Sequence, residues 1–291
     1  YIIEFLDSLR SQTRVPDEVW IADDCSTDNT FEIVKHYIKE HDLDGWTIYV
    51  NDYNLGWQQN FKEVISRATG DYVFLADQDD VWHNDKIQRF LNCFETSSAW
   101  LVISDFRIIG NGKSKKSVSM PKIDYVLENN NKKMLFPKNI EAVLRPGCVM
   151  AFNTKLRDIY LQLWTENQPH DALLWIIASI TNNIYYIEFQ SIDFRRTDNN
   201  ASGSIAHDIR FKKWSIIREK IVIDWYLNSG YVNKNYLEQI KKNYRWNTYR
   251  YELLINHKFF YWFKLFKYVQ CYTSIKQYLG DLYYFLKSCM N

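Results

Sequence analysis

The sequence predicts an α/β protein: a largely parallel sheet covered by helices on both faces, then a helical C-terminal region. Strand-like and helix-like segments alternate over the first eighty or so residues. Each strand segment is a continuous apolar run rather than an apolar/polar alternation, the pattern of strands buried on both faces. Past Gly203 the strand pattern stops, and helix-period segments rich in Lys, Arg, Trp, Tyr and Phe take over.

The elements follow in order. Ile2 or Ile3, Leu6 and Leu9 recur at helical spacing in "YIIEFLDSLRSQ". Val19 to Ala22 form a short buried strand. "STDNTFEIVKHYIKEH" opens with capping residue types and places Phe31, Ile33, Val34, Tyr37 and Ile38 at helical spacing. "WTIYVND" is a second strand, and "GWQQNFKEVISRATG" a helix closed by Gly70. "DYVFLADQDD" is a third strand that runs into three carboxylates. Residues 111–138 are polar and rich in Lys and Asn, which predicts a loop. Pro146 to Asn153 form a return strand, a helix begins near Asp171, and "IYYIEFQSIDFRRTDNNASG" is a strand followed by a loop. Three helical segments complete the chain, and no internal repeat is present.

Composition narrows the class. The chain has 291 residues, 46% hydrophobic and 17% aromatic, enough for a substantial core and too apolar for global disorder. Its five cysteines are scattered without a CxxC pair, against a disulfide framework or a zinc site and consistent with a reducing compartment. No apolar run approaches the roughly 18 residues of a membrane span. The net charge of +1 hides an asymmetry: residues 205–291 carry +9 and residues 1–204 carry −8. Two regions with different tasks are expected, 1–204 and 205–291.

In an open α/β sheet, ligands bind beyond the carboxyl ends of the strands. Two acidic clusters fall there, Asp23-Asp24 and Asp77/Asp79/Asp80. Carboxylates without neighbouring His or Cys in the sequence suit Mg²⁺ or Mn²⁺. A D-x-D triplet also occurs as a solvated turn, so the triplet alone is weak. "DCSTDN" resembles the start of a calcium loop, but Lys35 stands where the bidentate Glu would be needed. Ser26 or Asp28 then caps the next helix, with Asp23 and Asp24 pointing into the crevice.

"VWIADDCSTDNT", "NLGWQQNFKEVISRATGDYVFLADQDDVWHNDKI" and "HDALLWIIAS…FRRTDNNASG" together resemble the motif series of family 2 glycosyltransferases of the GT-A fold. The branch most similar builds rhamnose- or glucose-containing bacterial O-antigens and capsules. The resemblance spans residues 1–203 and implies a mixed sheet flanked by helices. It also places a first strand, with nucleotide-contacting residues, ahead of Tyr1. By resemblance, Asp23 and Asp24 match the pair that accepts the N–H of uracil or thymine. Asn54 and Gly56 match the N-x-G turn, with Asn60 on the helix after it. Asp77 reaches the ribose or a metal and Asp79 ligates the metal, Mn²⁺ or Mg²⁺. Asp80 binds metal or holds Asp79. Asp171, preceded by His170, matches the catalytic base, and Arg195 the loop that closes over the diphosphate, with Thr197 where His is usual. An Asp at a helix start is otherwise an ordinary dipole partner.

The implied function is inverting transfer of a sugar from UDP or dTDP to a hydroxyl of a lipid-linked glycan, at the cytoplasmic face of the bacterial plasma membrane. The basic, aromatic tail reads either as membrane-interface helices or as helices packed on the catalytic part or on a second subunit. Nucleic acid is not an expected partner. A nucleotidyltransferase would want a Gly-rich, basic loop that the first helix lacks. A non-catalytic sugar-nucleotide-binding module is the remaining alternative, against which the presence of Asp79 and Asp171 counts.

Overall fold

The computed structural model describes residues 1–110, 120–196 and 209–290. Chain contacts divide into two compact units. The first holds residues up to Met134, Leu144–Leu174 and the chain from Asn183 to Arg196. The second takes Leu135–Val143, Trp175–Asn182 and the chain from Ile209. The division is thus not a single cut at residue 204, because two front segments join the helical unit.

Unit one opens with α1 (Ile2–Arg10), β1 (Val19–Asp23), α2 (Thr30–Glu40), β2 (Trp46–Val50) and α3 (Trp57–Arg67). These elements match the expected order, except that α3 ends at Arg67 with Ala68 after it, short of the Gly70 expected to close it. Then come β3 (Tyr72–Phe74), β4 (Val81–Trp82), α4 (Lys86–Thr96), β5 (Leu101–Ile109), β6 (Tyr125–Glu128) and β7 (Asn131–Met134). After them lie β8 (Met150–Asn153), α5 (Thr154–Leu163), α6 (His170–Ile180), of which the residues from Trp175 on count with unit two, and β9 (Ile184–Arg195).

The sheet is mixed rather than parallel throughout. β1 and β2 pair in parallel as a sheet of their own. The other seven strands follow the order β3-β8-β5-β9-β7-β6, with β4 on β9. There β8 runs antiparallel to both β3 and β5, while β5 and β9 are parallel. A cavity of about 490 Å³ is lined by β1 from Val19 to Ala22, by β3 and by the α1 residues Ile2, Phe5 and Leu9. It is largely apolar, and Asn60 and Gln78 are among its polar lining residues.

Two local readings are corrected. The polar stretch 111–138 contains the β6–β7 hairpin. Asn129 and Asn130 turn it with φ of 51° and 63°, a left-handed pair that Asn tolerates, so "ENNN" is a hairpin signal rather than generic loop. The third strand pairs only over Tyr72–Phe74, and the carboxylates beyond it sit on a turn closed by the Asp80 N–H on the Asp77 carbonyl.

α1 holds that turn in place. Ser8 Oγ accepts the Trp82 N–H at 3.0 Å. Gln12 Nε2 donates to the His83 carbonyl at 2.9 Å, and Gln12 Oε1 accepts the Ile87 N–H. The buried face of the helix, Phe5, Leu6 and Leu9, packs into one cluster with Val34, Trp82, Val149 and Ile192.

Unit two is helical: α7 (Ile209–Leu227), α8 (Leu237–Leu254), α9 (Phe260–Leu265), a 3-10 stretch over Phe266–Cys271 and α10 (Ile275–Met290). Its core is Ile216, Trp246, Leu253, Leu265, Tyr272, Tyr278 and Phe285. Part of the tail's positive charge is buried within it. Arg250 lies between Asp281 (Nε to Oδ2, 3.1 Å) and Glu141 (Nη1 to Oε2, 2.9 Å), Tyr272 donates to Asp281, and Lys212 pairs with the same carboxylate. Among the described residues, no helix is long and apolar enough to cross a membrane.

Candidate active site

The site grows from the carboxyl ends of β1 and β3. β1 ends on Asp23 and Asp24 follows it, and both carboxylates are engaged by backbone N–H groups of neighbouring loops. Asp23 is buried, and its Oδ1 accepts the Ser26 N–H at 2.7 Å. Asp24 grips the N-x-G turn: Oδ1 takes the Leu55 N–H at 2.7 Å and Oδ2 the Gly56 N–H at 2.8 Å. Asn54 Nδ2 returns a bond to the Asp24 carbonyl. Gly56 adopts φ +75° at the start of α3, a left-handed conformation that favours glycine. Asn60 donates to the Ala22 carbonyl and accepts from Asn51 Nδ2, which also reaches Asp24 Oδ1. Asp24, Asn54, Gly56 and Asn60, four of the positions singled out in the sequence, therefore form one network, with Asn51 as a fifth member that spacing did not mark. Neither Ser26 nor Asp28 is the N-cap of α2, which is Asn29 without a side-chain cap bond; Asp28, one residue earlier, accepts the Thr30 N–H.

At the other cluster, Asp77, Asp80 and Cys148 offer ligand atoms all within 4.8 Å of one another. Burial pushes the Asp77 carboxyl up to about 7, and the charges of Asp80, Asp79 and Asp171 add to the rise. Burial also lifts Asp80 to about 6, against the Arg195 N–H it accepts at 2.9 Å. Asp80 Oδ2 is buried without a hydrogen-bond partner among the described residues. Crowded carboxyls with raised pKa values and an orphan oxygen fit a hard divalent cation, which would relieve both. Burial and the charges of Asp77 and Asp80 also drive the Cys148 thiol up; as a soft donor it matches a hard cation less well than the two carboxylates do. Asp79 is outside this trio; burial raises its carboxyl too, and Arg195 Nε donates to its carbonyl at 2.8 Å. The Arg195 guanidinium continues to Glu4 Oε2 at 2.6 Å and lies 4.5 Å from the Tyr1 ring. Thr197 lies outside the described residues.

Lys86, which sequence spacing did not mark, is fully buried beneath the cluster. Its Nζ donates to the Cys148 carbonyl at 2.8 Å and sits 3.5 Å from the Trp82 ring centroid. Burial lowers its pKa to about 7, while Asp80 and Asp77 pull it upward.

Asp171 stands in the first turn of α6, with Oδ1 accepting the Ala172 N–H at 2.7 Å. It is close enough to Asp77 to raise that carboxyl. His170 is buried, stacks on Phe61 at 3.8 Å and meets Trp57 edge-on, so burial lowers its pKa and keeps the imidazole neutral. A Cβ at Gly147 would lie 2.8 Å from His170 Nε2, so residue 147 is glycine where the two elements touch.

A mixed sheet flanked by helices, with carboxylates gathered beyond its strand ends, is the arrangement of the GT-A fold. Residues 1–159 match the family described as Glycosyl transferase family 2, and the chain belongs to it. It is 25% identical over 243 residues, 78% of each chain, to the dTDP-rhamnosyl transferase RfbG of Shigella flexneri. A putative teichuronic acid biosynthesis glycosyltransferase, TuaG of Bacillus subtilis, is 35% identical over 91 residues, 31% of this chain and 35% of that protein. Among solved structures, Staphylococcus aureus TarS 1–349 in complex with UDP-GlcNAc superposes with a TM-score of 0.60 at 15% identity, over 97% of this chain and 77% of that one. A mannosyltransferase from Pyrobaculum calidifontis, in complex with GDP-Man and Mn²⁺, reaches a TM-score of 0.50 at 15% identity. At these identities the structural likenesses establish the fold.

Proposed function

We propose that the protein transfers a sugar, with inversion, from a UDP- or dTDP-sugar to a hydroxyl of a lipid-linked glycan in bacterial surface polysaccharide synthesis. The observation that carries this reading is the convergence of Asp77 and Asp80 near Asp171 beyond the strand ends. The sequence relationship to a dTDP-rhamnosyl transferase supports the donor class.

Each residue has a task in this reading. Asp23 and Asp24 shape the loops that receive the base, with Asn54, Gly56 and Asn60 fixing Asp24. Asp77, Asp79 and Asp80 would hold a divalent cation, Mn²⁺ or Mg²⁺, which when bound neutralises charge on the departing diphosphate. Arg195 supplies a positive group at the same edge. Asp171 takes the proton of the acceptor hydroxyl as its oxygen attacks the anomeric carbon from the side opposite the diphosphate. The neutral, apolar packing of His170, Phe61 and Trp57 holds the first turn of α6, and with it Asp171, in place.

A panel of nucleotide sugars, read by thermal stabilisation and by release of nucleoside diphosphate, tests the reading. Stabilisation and turnover with one UDP- or dTDP-sugar are expected. Stabilisation without turnover in the presence of acceptor lipid would favour a binding module, and no response to any member would overturn the proposal.

A further inference from the structure

Unit two carries an apolar surface that its own fold leaves uncovered. α9 and its flanks expose Phe260 (64%), Phe263 (58%) and Phe266 (70%), with Phe259 beside them. α10 exposes Ile275, Leu279, Tyr283 and Leu286, spaced by four, four and three, a single stripe along the helix. The opposite side of α10, with Tyr278, Asp281 and Phe285, is the side turned into the core. The two helices pack together: Trp262 stacks on Tyr278 with centroids 5.3 Å apart, and Phe259 meets Phe285 at 5.3 Å. Two rows of large apolar side chains therefore stand on neighbouring elements of one unit. Water-exposed apolar surface on this scale marks an interaction site.

The charge around these rows selects the occupant. Lys264, Lys267, Lys276 and Lys287 lie on the same two helices and their flanks, while Lys258 ahead of them is paired with Glu252 at 2.7 Å. Between His257 and Cys289 the only acidic residue is Asp281, which is fully buried and paired with Arg250 and Lys212. Exposed charge in this segment is thus all positive. A second copy meeting the same face would bring lysines against lysines with no exposed carboxylate of the segment to answer them. An anionic bilayer answers both features: its headgroups pair with the lysines, and its interfacial region takes Phe, Tyr, Leu and Ile. Lys side chains reach headgroups while their stems lie along apolar surface; Lys264 Nζ stands 4.9 to 5.5 Å from the ring centroids of Tyr249, Phe260 and Tyr261, which places a cation within the aromatic row.

We propose that the α9–α10 face is a docking surface for anionic lipid bilayers, held by Phe260, Phe263, Phe266, Leu279, Tyr283 and the surrounding lysines. The expected attachment narrows from the whole tail to these two helices, because α7 and α8 turn Arg218, Trp246 and Arg250 inward. The proposal stands independently of the transfer reaction, since lipid binding is read without any donor sugar.

The test is co-sedimentation of the full chain with vesicles of phosphatidylglycerol and phosphatidylcholine, against phosphatidylcholine alone. Binding to the anionic vesicles is expected, weakened severalfold between about 0.05 and 0.5 M salt as charges are screened. Phe260→Ser/Phe263→Ser/Leu279→Ser/Tyr283→Ser should lose binding about tenfold or more. Lys264→Glu/Lys267→Glu/Lys276→Glu, which leaves the apolar rows intact, should abolish the preference for anionic lipid. An unchanged melting temperature in both variants keeps the comparison to surface effects. Equal binding to neutral vesicles, wild-type binding by either variant, or a lipid-indifferent dimer dissolved by the Phe/Leu/Tyr variant would each overturn the proposal.

Discussion

Asp80 Oδ1 accepts the backbone N–H of Arg195 at 2.9 Å, and Arg195 Nε donates to the carbonyl of Asp79, the residue before Asp80, at 2.8 Å. The acidic turn after β3 and the end of β9 are thereby latched over 115 residues of sequence separation. The last carboxylate of "DQDD", Asp80, is therefore a structural anchor as well as a ligand candidate, and the two tasks use different oxygens. Asp80→Asn keeps an acceptor for the Arg195 N–H but removes the charge. In chelator at neutral pH it should hold or raise the melting temperature, since the buried charge is gone, while weakening Mn²⁺-dependent nucleotide binding. Asp80→Ala loses both and should cost about 1 kcal/mol by leaving a half-buried N–H unpaired. Equal destabilisation by both, measured by denaturant unfolding, would remove the latch.

The raised carboxyls make stability depend on pH in a defined direction. Asp77 and Asp80 keep protons up to about 7 and about 6, whereas in the unfolded chain they release them near 4. The folded state binds more protons in that window, so stability is present at acid pH and is lost as the pH rises from about 4 to 7. Lys86 acts oppositely above about 7, where the unfolded chain holds a proton that the folded one has released. In chelator, the melting temperature should fall from about pH 5 to pH 7, and less steeply in Asp77→Asn. Mn²⁺ should offset the fall by binding the ionised form; a metal-independent, unaltered slope in Asp77→Asn would refute the assignment.

Lys86→Met tests the buried cation directly. Methionine fills similar volume but removes the bond to the Cys148 carbonyl and the positive charge nearest the acidic pair. Loss of stability in chelator should exceed loss in saturating Mn²⁺, since added positive charge replaces what the lysine supplied. A deficit of about 1–3 kcal/mol in chelator is expected. If Mn²⁺ narrows the gap by nothing, Lys86 serves packing alone.

Much of this architecture is legible in the chain because it rests on short-range patterns. α1, α2 and α3 announce themselves by apolar spacing, and the acidic clusters fall where β1 and β3 give out. What was not legible depends on long-range burial. A lysine at a helix start reads as a solvated residue, and nothing near Lys86 in sequence says that Trp82 and the Cys148 carbonyl will enclose it. Cys148, 68 residues beyond Asp80, joins the acidic pair only through the pairing of β8 with β3. Asn51 looks like a strand-end residue until Asp24 and Asn60 are seen on either side of it. The β6–β7 hairpin was readable from its paired asparagines, but the polar composition of its strands hid it.

Gly147 and His170 form a contact that sequence spacing does not expose. A methyl group at residue 147 would stand 2.8 Å from the imidazole, so Gly147→Ala must displace the ring or the backbone of the first turn of α6. Crowding of this kind costs about 1–3 kcal/mol. Because Asp171 is the next residue, kcat should fall more than donor affinity, and His170→Ala in the same chain should relieve part of the stability loss. No relief in the double variant would show that the crowding lies elsewhere.

Asp171→Asn separates proton removal from binding. The amide keeps an oxygen for the Ala172 N–H, so the helix start should hold and the melting temperature should stay near wild type. It cannot accept the acceptor's proton at neutral pH, so turnover should fall by about 10²–10⁴-fold while nucleotide-sugar affinity stays unchanged. The loss should appear in kcat, read by nucleoside diphosphate release under saturating donor and acceptor. Near-normal kcat in a folded, donor-binding variant would show that the proton leaves by another route. Loss of donor affinity instead would move Asp171 from the acceptor side of the reaction to the donor side.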